Sequence, residues 1–407
     1  MRVLHTSDWH IGRTLYDKRR HEEHTAFLSW LADTMVNRKV DLLLVCGDIF
    51  DTISPGNKSQ EIYYSFLRKV IDSGCTHVVV TGGNHDSPSM LDAPKQVLES
   101  IGVHVFGSCP KEPEEEVILL SDIHGQPQAI VCAVPFLRDR DVRDSIEGSP
   151  NEKAQRLVAG IGAHYALIQE KAKALRKKIG KDLPLIVTGH LFTTGGKIAN
   201  GDGVRDLYVG TAAEVSSSLF DSEADYVALG HLHVPQIVGK RETVRYSGSP
   251  LPMGFGEANQ QKQVVLVDFQ PDSLFPVIET IDVPTFQKLQ KISGSLEEIE
   301  TQLQTLTAVD RSVWVEVSYD GTLSPSVLRE HLDRIVEGSG VEILRLENIR
   351  LTDHVLHPDS WQQTLDDLDE REVFRRRLSS EDLENGEAEL LTTLYEKILF
   401  SLQEEQT

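Results

Sequence analysis

The chain is short of cations and of cysteine, and it has no long apolar run. Its 41 Lys and Arg stand against 63 Asp and Glu, a formal net charge of −22 over 407 residues. So large a deficit argues against nucleic-acid binding spread over the whole surface, because a phosphate backbone is held mainly by Lys and Arg. The four cysteines, Cys46, Cys75, Cys109 and Cys132, show no Cys-x-x-Cys spacing and read as reduced, mostly buried thiols. The longest apolar runs are far too short to span a bilayer, and no secretory apolar region follows Met1-Arg2-Val3-Leu4. The expected home is the cytoplasm, with no membrane partner. A composition of 40% hydrophobic and 26% charged residues is that of a globular chain long enough for two or three domains.

Charge is unevenly spread. Much of the acidic excess lies between Asp353 and Glu405, whereas Arg13, Lys18, Arg19 and Arg20 make a basic stretch with Tyr16 among them. A second basic stretch runs from Phe136 to Arg143. On charge alone each could be a solvated loop; for the first, its place beside the motifs described next makes Arg13, Lys18, Arg19 and Arg20 candidate DNA contacts.

Five short segments carry metal-binding side chains in order: Asp8-Trp9-His10, Gly47-Asp48-Ile49-Phe50-Asp51, Gly83-Asn84-His85-Asp86, Gly189-His190 and Gly230-His231-Leu232-His233. Each follows a short apolar run, such as Leu42-Leu43-Leu44-Val45-Cys46 or Tyr226-Val227-Ala228-Leu229, of the kind expected for a strand buried on both faces. The polar residues then stand in loops at one edge of a sheet, where α/β folds keep their ligands. Singly, each of these residues reads as a cap or a satisfied loop histidine; together they spell a two-metal phosphoesterase site. His5, His77 and His124 lack such company and read as structural.

Phosphodiester hydrolysis needs an activated water, charge neutralisation on the phosphoryl oxygens and a proton for the leaving oxygen. Two divalent ions about 3.5–4 Å apart can supply the first two. Asp48 is the candidate bridge. Asp8, His10 and one further histidine could complete one shell, and Asn84, His190 and another histidine the second. Such a mixed donor set suits manganese, iron or zinc better than oxygen-preferring magnesium. His85 is left as the proton donor or transition-state contact.

Spacing predicts helices over Glu22 to Val36, from Pro55 to Ser73-Gly74, from Pro88 to Gly102, and over 152–179. After His233 come short strands, Val234 to Val238, Thr243 to Tyr246 and Gln263 to Phe269, read as a second, antiparallel-rich sheet, followed by a strand over Pro276 to Pro284. A small unit then alternates strand and helix: Leu296 to Leu306 and Ser324 to Val336 helical, Ser312 to Tyr319 and Val341 to Leu346 extended. Ser360 to Leu402 is helical in pattern.

The five motifs, with Val-Arg-Asp-Leu-Tyr-Val-Gly at 204–210 and Tyr-Ser-Gly-Ser-Pro at 246–250, resemble the bacterial SbcD family of exonuclease subunits, within the calcineurin-like metallophosphoesterase superfamily. The resemblance implies an α/β fold, a two-sheet sandwich flanked by helices, over residues 1–284. It further implies a small α+β capping domain at 285–350 and a C-terminal helical, partner-binding segment at 351–407. By the same resemblance Asp8, His10, Asp48 and His233 hold one manganese, Asp48, Asn84, His190 and His231 the other, and His85 is the catalytic histidine; iron, zinc or magnesium are the alternatives. Asp51 stands where archaeal and eukaryotic relatives carry a substrate-arranging histidine. The implied activity is a manganese-dependent 3′→5′ double-strand DNA exonuclease and single-strand, hairpin-cleaving endonuclease in repair, recombination and replication. The implied partners are DNA ends and an SMC-like coiled-coil ATPase, SbcC, met around Phe374 to Leu378. A homodimer within a heterotetramer, built on the helices after Pro55 and Pro88, is implied as well. A small-molecule phosphodiesterase or phosphatase on the same site, and a non-catalytic adaptor for the ATPase, are the competing readings.

Overall fold

The computed structural model describes residues 1–142, 150–180, 183–193, 215–220, 223–270, 273, 275–309, 311–349, 391 and 395. The expected partner-binding segment around Phe374, the 204–210 motif and Arg143 lie outside the described residues. The chain divides into two compact units, Met1–Gln290 and a second beginning at Lys291.

In chain order the first unit runs β1 (Arg2–Thr6), β2 (Thr14–Leu15), β3 (Lys18–Arg19), α1 (His21–Arg38), β4 (Leu42–Cys46), α2 (Asn57–Asp72) and β5 (His77–Thr81). It continues with α3 (Pro88–Asp92), α4 (Lys95–Glu99), β6 (Val103–Phe106), β7 (Val117–Ser121), β8 (Pro127–Cys132), α5 (Asp139–Val142) and α6 (Pro150–Ile179). The last strands are β9 (Leu185–His190), β10 (Tyr226–Gly230), β11 (Gln236–Val238), β12 (Arg241–Tyr246), β13 (Gln263–Asp268) and β14 (Val277–Asp282). They form two six-stranded sheets, ordered β14-β13-β1-β4-β5-β6 and β11-β12-β10-β9-β8-β7. Each is mixed. In the first, β1, β4, β5 and β6 are parallel while β13 and β14 add antiparallel.

Two expectations are corrected here. The five motif strands are not in one sheet: β1, β4 and β5 belong to the first, β9 and β10 to the second. The strands after His233 do not form a sheet of their own either, because β11 and β12 extend the second and β13 and β14 the first. Pairings of this kind join residues far apart in sequence, so local pattern does not reveal them.

Alternation along each strand explains the continuous apolar runs. Leu42, Leu44 and Cys46 of β4 and Val3 of β1 pack with Ile186 of β9 and Tyr226 and Ala228 of β10, in a core between the sheets. The alternate residues Leu4, Leu43 and Val45 face outward against Phe27 and Leu31 of α1 and Phe66 of α2. On the far side Leu185, Val187 and Val227 pack against Tyr165 and Ile168 of α6. Every motif strand is covered on both faces, which fixes the height and direction of the loops that follow.

The helix expected from Pro88 to Gly102 is broken into α3 and α4. Pro94 has no amide hydrogen to continue the ladder and stands at the N-cap of α4. Arg13 to Arg20 is largely a tight hairpin of β2 and β3, turned by Tyr16 and Asp17, both at positive φ (45° and 65°).

The second unit holds a three-stranded sheet, β15 (Lys288–Gly294), β16 (Val313–Tyr319) and β17 (Val341–Asn348), with α7 (Leu296–Thr307) and α8 (Pro325–Val336). The division between the two compact units falls inside β15. Ser295 and Glu298 form a reciprocal capping box at the start of α7. Ile299, Leu303, Leu328 and Leu332 pack on Val315 and Val317 to give this unit its own core. Among the described residues no helix is long and apolar enough to cross a membrane.

Candidate metal centre

Asp8 and His10 follow β1, Asp48 follows β4, Asn84 and His85 follow β5, His190 ends β9, and His231 and His233 follow β10. Two glycines permit the convergence. Gly47 has φ +83°, and a Cβ there would strike the His190 ring; a Cβ on Gly230 would run into the Cys46 carbonyl oxygen. Asp8, His10, Asp48 and His231 themselves have positive φ (53°, 46°, 50° and 103°), a cost that non-glycine residues bear where function requires it.

The predicted ligands assemble into two sets. Asp8, His10 and His233 bring one donor atom each within 4.8 Å of one another, and so do Asp48, His190 and His231. Asn84 joins the second set, with Oδ1 3.0 Å from His190 Nε2 and 3.2 Å from His231 Nδ1. Asp48 Oδ2 lies between the sets, 3.6 Å from His10 Nε2 and 3.3 Å from His190 Nε2. Its other oxygen accepts the His85 N–H at 2.9 Å.

The donor chemistry tests whether divalent ions fit. His190 Nδ1 donates to the Cys46 carbonyl at 3.0 Å, so in the neutral ring Nε2 presents a lone pair to Asp48 Oδ2 and Asn84 Oδ1, which are acceptors too. His10 Nε2 and His233 Nε2 face each other at 3.2 Å. Lone pairs aimed at one another in a buried cluster suit a shared cation, and carboxylate, amide oxygen and imidazole are donors that manganese, iron and zinc accept. The residues present fit such ions.

The electrostatics are split: burial alone would lower the His190 pKa, but the Asp48 and Asp8 carboxylates raise it to about 9, so an arriving cation must displace the Nε2 proton. Burial opposes ionisation of Asp48, but the charges of His190, His10 and His85 outweigh it and hold the carboxyl well below its ordinary range. Burial lowers the pKa of His231, and the neighbouring His190 lowers it further, which favours the neutral ring a metal ligand needs.

His85 stands at the rim, half-buried, with Nδ1 donating to the Asp51 carbonyl at 2.9 Å and its ring 4.8 Å from that of His10. Asp51 Oδ1 meets His10 Nδ1 at 3.2 Å and Arg13 Nη1 at 3.1 Å. Burial would raise the Asp51 pKa, yet these two partners hold it at about 2.

The basic stretch divides. Arg19 is exposed and Lys18 half-buried on the hairpin, and Arg13 is tied to Asp51 and to the Met253 carbonyl. Arg20 departs from expectation: it is 2% exposed, clasps Glu23 through two nitrogens at 2.7 and 2.9 Å, and donates to the Pro252 carbonyl at 2.7 Å. Its guanidinium anchors the start of α1 and does not reach the surface.

Three supporting residues were not singled out in the sequence. Asp86 is fully buried and accepts the backbone N–H groups of Ile49, Phe50 and Gly83 at 3.0, 2.9 and 2.8 Å, bracing the second motif loop against the third. Glu257 Oε1 lies 3.5 Å from His233 Nδ1, and its Oε2 takes a 2.5 Å contact from the buried Lys262 ammonium. The position of Asp86 inside its motif was a usable signal; nothing local marks Glu257 or Lys262.

The fold and this donor cluster define a metal-dependent phosphoesterase of the calcineurin-like class. The family model described as "Calcineurin-like phosphoesterase" matches residues 1–235, and that described as "Type 5 capsule protein repressor C-terminal domain" matches residues 285–382. The SbcD subunit of nuclease SbcCD from Escherichia coli (strain K12) is 36% identical over 405 residues, 99% of this chain and 98% of that one. The SbcD subunits of Rhodobacter capsulatus and Bacillus subtilis are 38% and 32% identical over 275 and 273 residues, covering 66% and 67% of both chains. The chain belongs to the SbcD family of nuclease subunits.

Proposed function

We propose that this protein hydrolyses DNA phosphodiesters at two manganese ions as the nuclease subunit of an SbcCD-type complex. Asp8, His10, Asp48 and His233 hold one ion and Asp48, Asn84, His190 and His231 the other. The observation that carries this reading is Asp48 Oδ2, placed between one imidazole of each set. When bound, such ions supply a nucleophilic water at neutral pH and neutralise charge on the phosphoryl oxygens.

The chain's own residues do the rest. His190 is locked with Nε2 inward by the Cys46 carbonyl. His85 keeps Nδ1 on the Asp51 carbonyl and so directs Nε2 to the substrate, where in its protonated form it gives a proton to the departing oxygen. Arg13, Lys18 and Arg19 take the DNA backbone beyond the scissile bond; Arg20 has no part in this.

The relatives' name makes them one component of a nuclease called SbcCD, which supports a nucleic-acid substrate and a companion subunit, SbcC. The family resemblance supports 3′→5′ exonuclease action on duplex ends, endonuclease action on single strands and hairpins, and a homodimer within a heterotetramer. Four free cysteines support a cytoplasmic setting. His85→Gln tests the reading: we expect hydrolysis of linear duplex DNA to fall by a factor of about 10²–10⁴ with two manganese ions still bound. Loss of both ions, or preferential turnover of a small nucleotide diester by the unaltered protein, contradicts it.

A further inference from the structure

Among the charged side chains beside the metal sets, Asp51 has not yet been given a role. Asp51 is held through its main chain and its side chain alike. Its N–H donates to the Ile11 carbonyl at 3.3 Å, its carbonyl accepts His85 Nδ1 at 2.9 Å, and Oδ1 meets His10 Nδ1 at 3.2 Å and Arg13 Nη1 at 3.1 Å. The side chain is 21% exposed, those of His10 and Arg13 1% and 22%, so the carboxylate sits between the buried ligand and the open side of the site.

The geometry points to Asp51 as a positioning residue that holds a metal ligand, the proton-donating histidine and a substrate-side arginine in one register. This rests on the proposed two-manganese site. An imidazole that coordinates through one nitrogen needs an acceptor at the other, or the ring can turn and the wrong tautomer forms. His190 has the Cys46 carbonyl for this purpose; His10 Nδ1, buried and without a formed hydrogen bond, has the Asp51 carboxylate 3.2 Å away to serve it. The same oxygen draws the Arg13 guanidinium toward His10, while Arg13 Nε donates to the Met253 carbonyl at 3.3 Å. Arg13 therefore meets a phosphate from a preset position instead of as a free side chain. His85 is tied through the Asp51 main chain, so substitution of the side chain leaves that contact in place.

Manganese titration of the full-length protein, read by electron paramagnetic resonance of free Mn²⁺, separates these roles. Asp51→Ala should weaken one of the two manganese ions about 10- to 100-fold and leave the other unchanged. Asp51→Asn, whose amide oxygen still accepts from His10, should recover most of that loss. Arg13→Met should bind both ions normally while its KM for duplex DNA rises. Wild-type manganese affinity in Asp51→Ala, or equal weakening in Asp51→Asn, overturns the role of Asp51. If Asp51→Ala does not fold, as judged by circular dichroism, Asp51→Asn alone decides: an affinity within a few-fold of the unaltered protein is expected, and a 10-fold loss overturns the inference. Failure of the unaltered protein to bind two manganese ions instead overturns the reading of the site itself.

Discussion

His190 gives its Nδ1 proton to the Cys46 carbonyl at 3.0 Å and turns Nε2 to Asp48 Oδ2 at 3.3 Å. The first contact decides the second: a carbonyl can only accept, so Nδ1 keeps its proton there and Nε2 is the nitrogen left to face the carboxylate. Cys46 ends β4 in the first sheet and His190 ends β9 in the second. The candidate metal site is therefore built across the seam between the sheets, and its geometry depends on their packing.

Removing divalent metal should lower the melting temperature. Ions that bind only the folded state stabilise it by about 2.7 kcal/mol at one hundred times their dissociation constant. Differential scanning calorimetry with manganese and then with excess EDTA should show the drop; His190→Ala should lack most of it.

Asp86→Asn should weaken the joint between the second and third motif loops. One amide oxygen cannot accept from Ile49, Phe50 and Gly83 as two carboxylate oxygens do, and each buried N–H left unpaired costs about 1–3 kcal/mol. Urea unfolding should report a loss of that order, with reduced manganese affinity, whereas an unaltered midpoint would show that the brace is dispensable.

Glu257→Ala would remove the anionic partner of the Lys262 ammonium, which is 4% exposed and would keep only neutral acceptors such as the His233 carbonyl and Ser249 Oγ, and breaking a buried pair in this way costs about 3–5 kcal/mol. The double change Glu257→Leu with Lys262→Met should restore most of the stability. Manganese affinity should stay low in both variants, because the carboxylate facing His233 Nδ1 is missing from each. Full recovery of affinity in the double variant would show that Glu257 serves only the lysine.

Acid should destabilise the fold through His5. Burial, the largest cause, lowers its pKa from 6.5 to about 3, while Nδ1 meets Tyr226 Oη at 2.9 Å and Nε2 the Leu229 carbonyl at 3.2 Å. Between pH 6.5 and 3 the unfolded chain binds a proton at this position that the folded chain does not. Stability therefore falls as pH drops through this window, by about 1.4 kcal/mol per pH unit. Urea unfolding at about pH 6.5 and about pH 5 in EDTA should show the loss, and His5→Phe should have a shallower slope despite its lower absolute stability.

What the sequence made legible is the first layer of the site. Apolar runs of about five residues ending in Asp, Asn or His report strands covered on both faces and loops at their ends. The supporting layer was illegible for a physical reason. Asp86 bonds to backbone 37 residues earlier, and Glu257 reaches His233 from a short turn with no periodicity around it. Charge pattern also failed at Arg20, because a buried guanidinium clasped by Glu23 and an exposed one on a phosphate look alike in a string of basic residues. The break at Pro94 was visible, but the apolar residues on either side keep helical spacing through it.

A crystal of the full chain grown with manganese, with data collected at the manganese absorption edge, would show the bridge itself. Two anomalous peaks about 3.5–4 Å apart are expected, one against Asp8, His10 and His233, the other against Asn84, His190 and His231, with Asp48 touching both. A single peak, or two peaks that Asp48 does not join, would contradict the two-metal assignment.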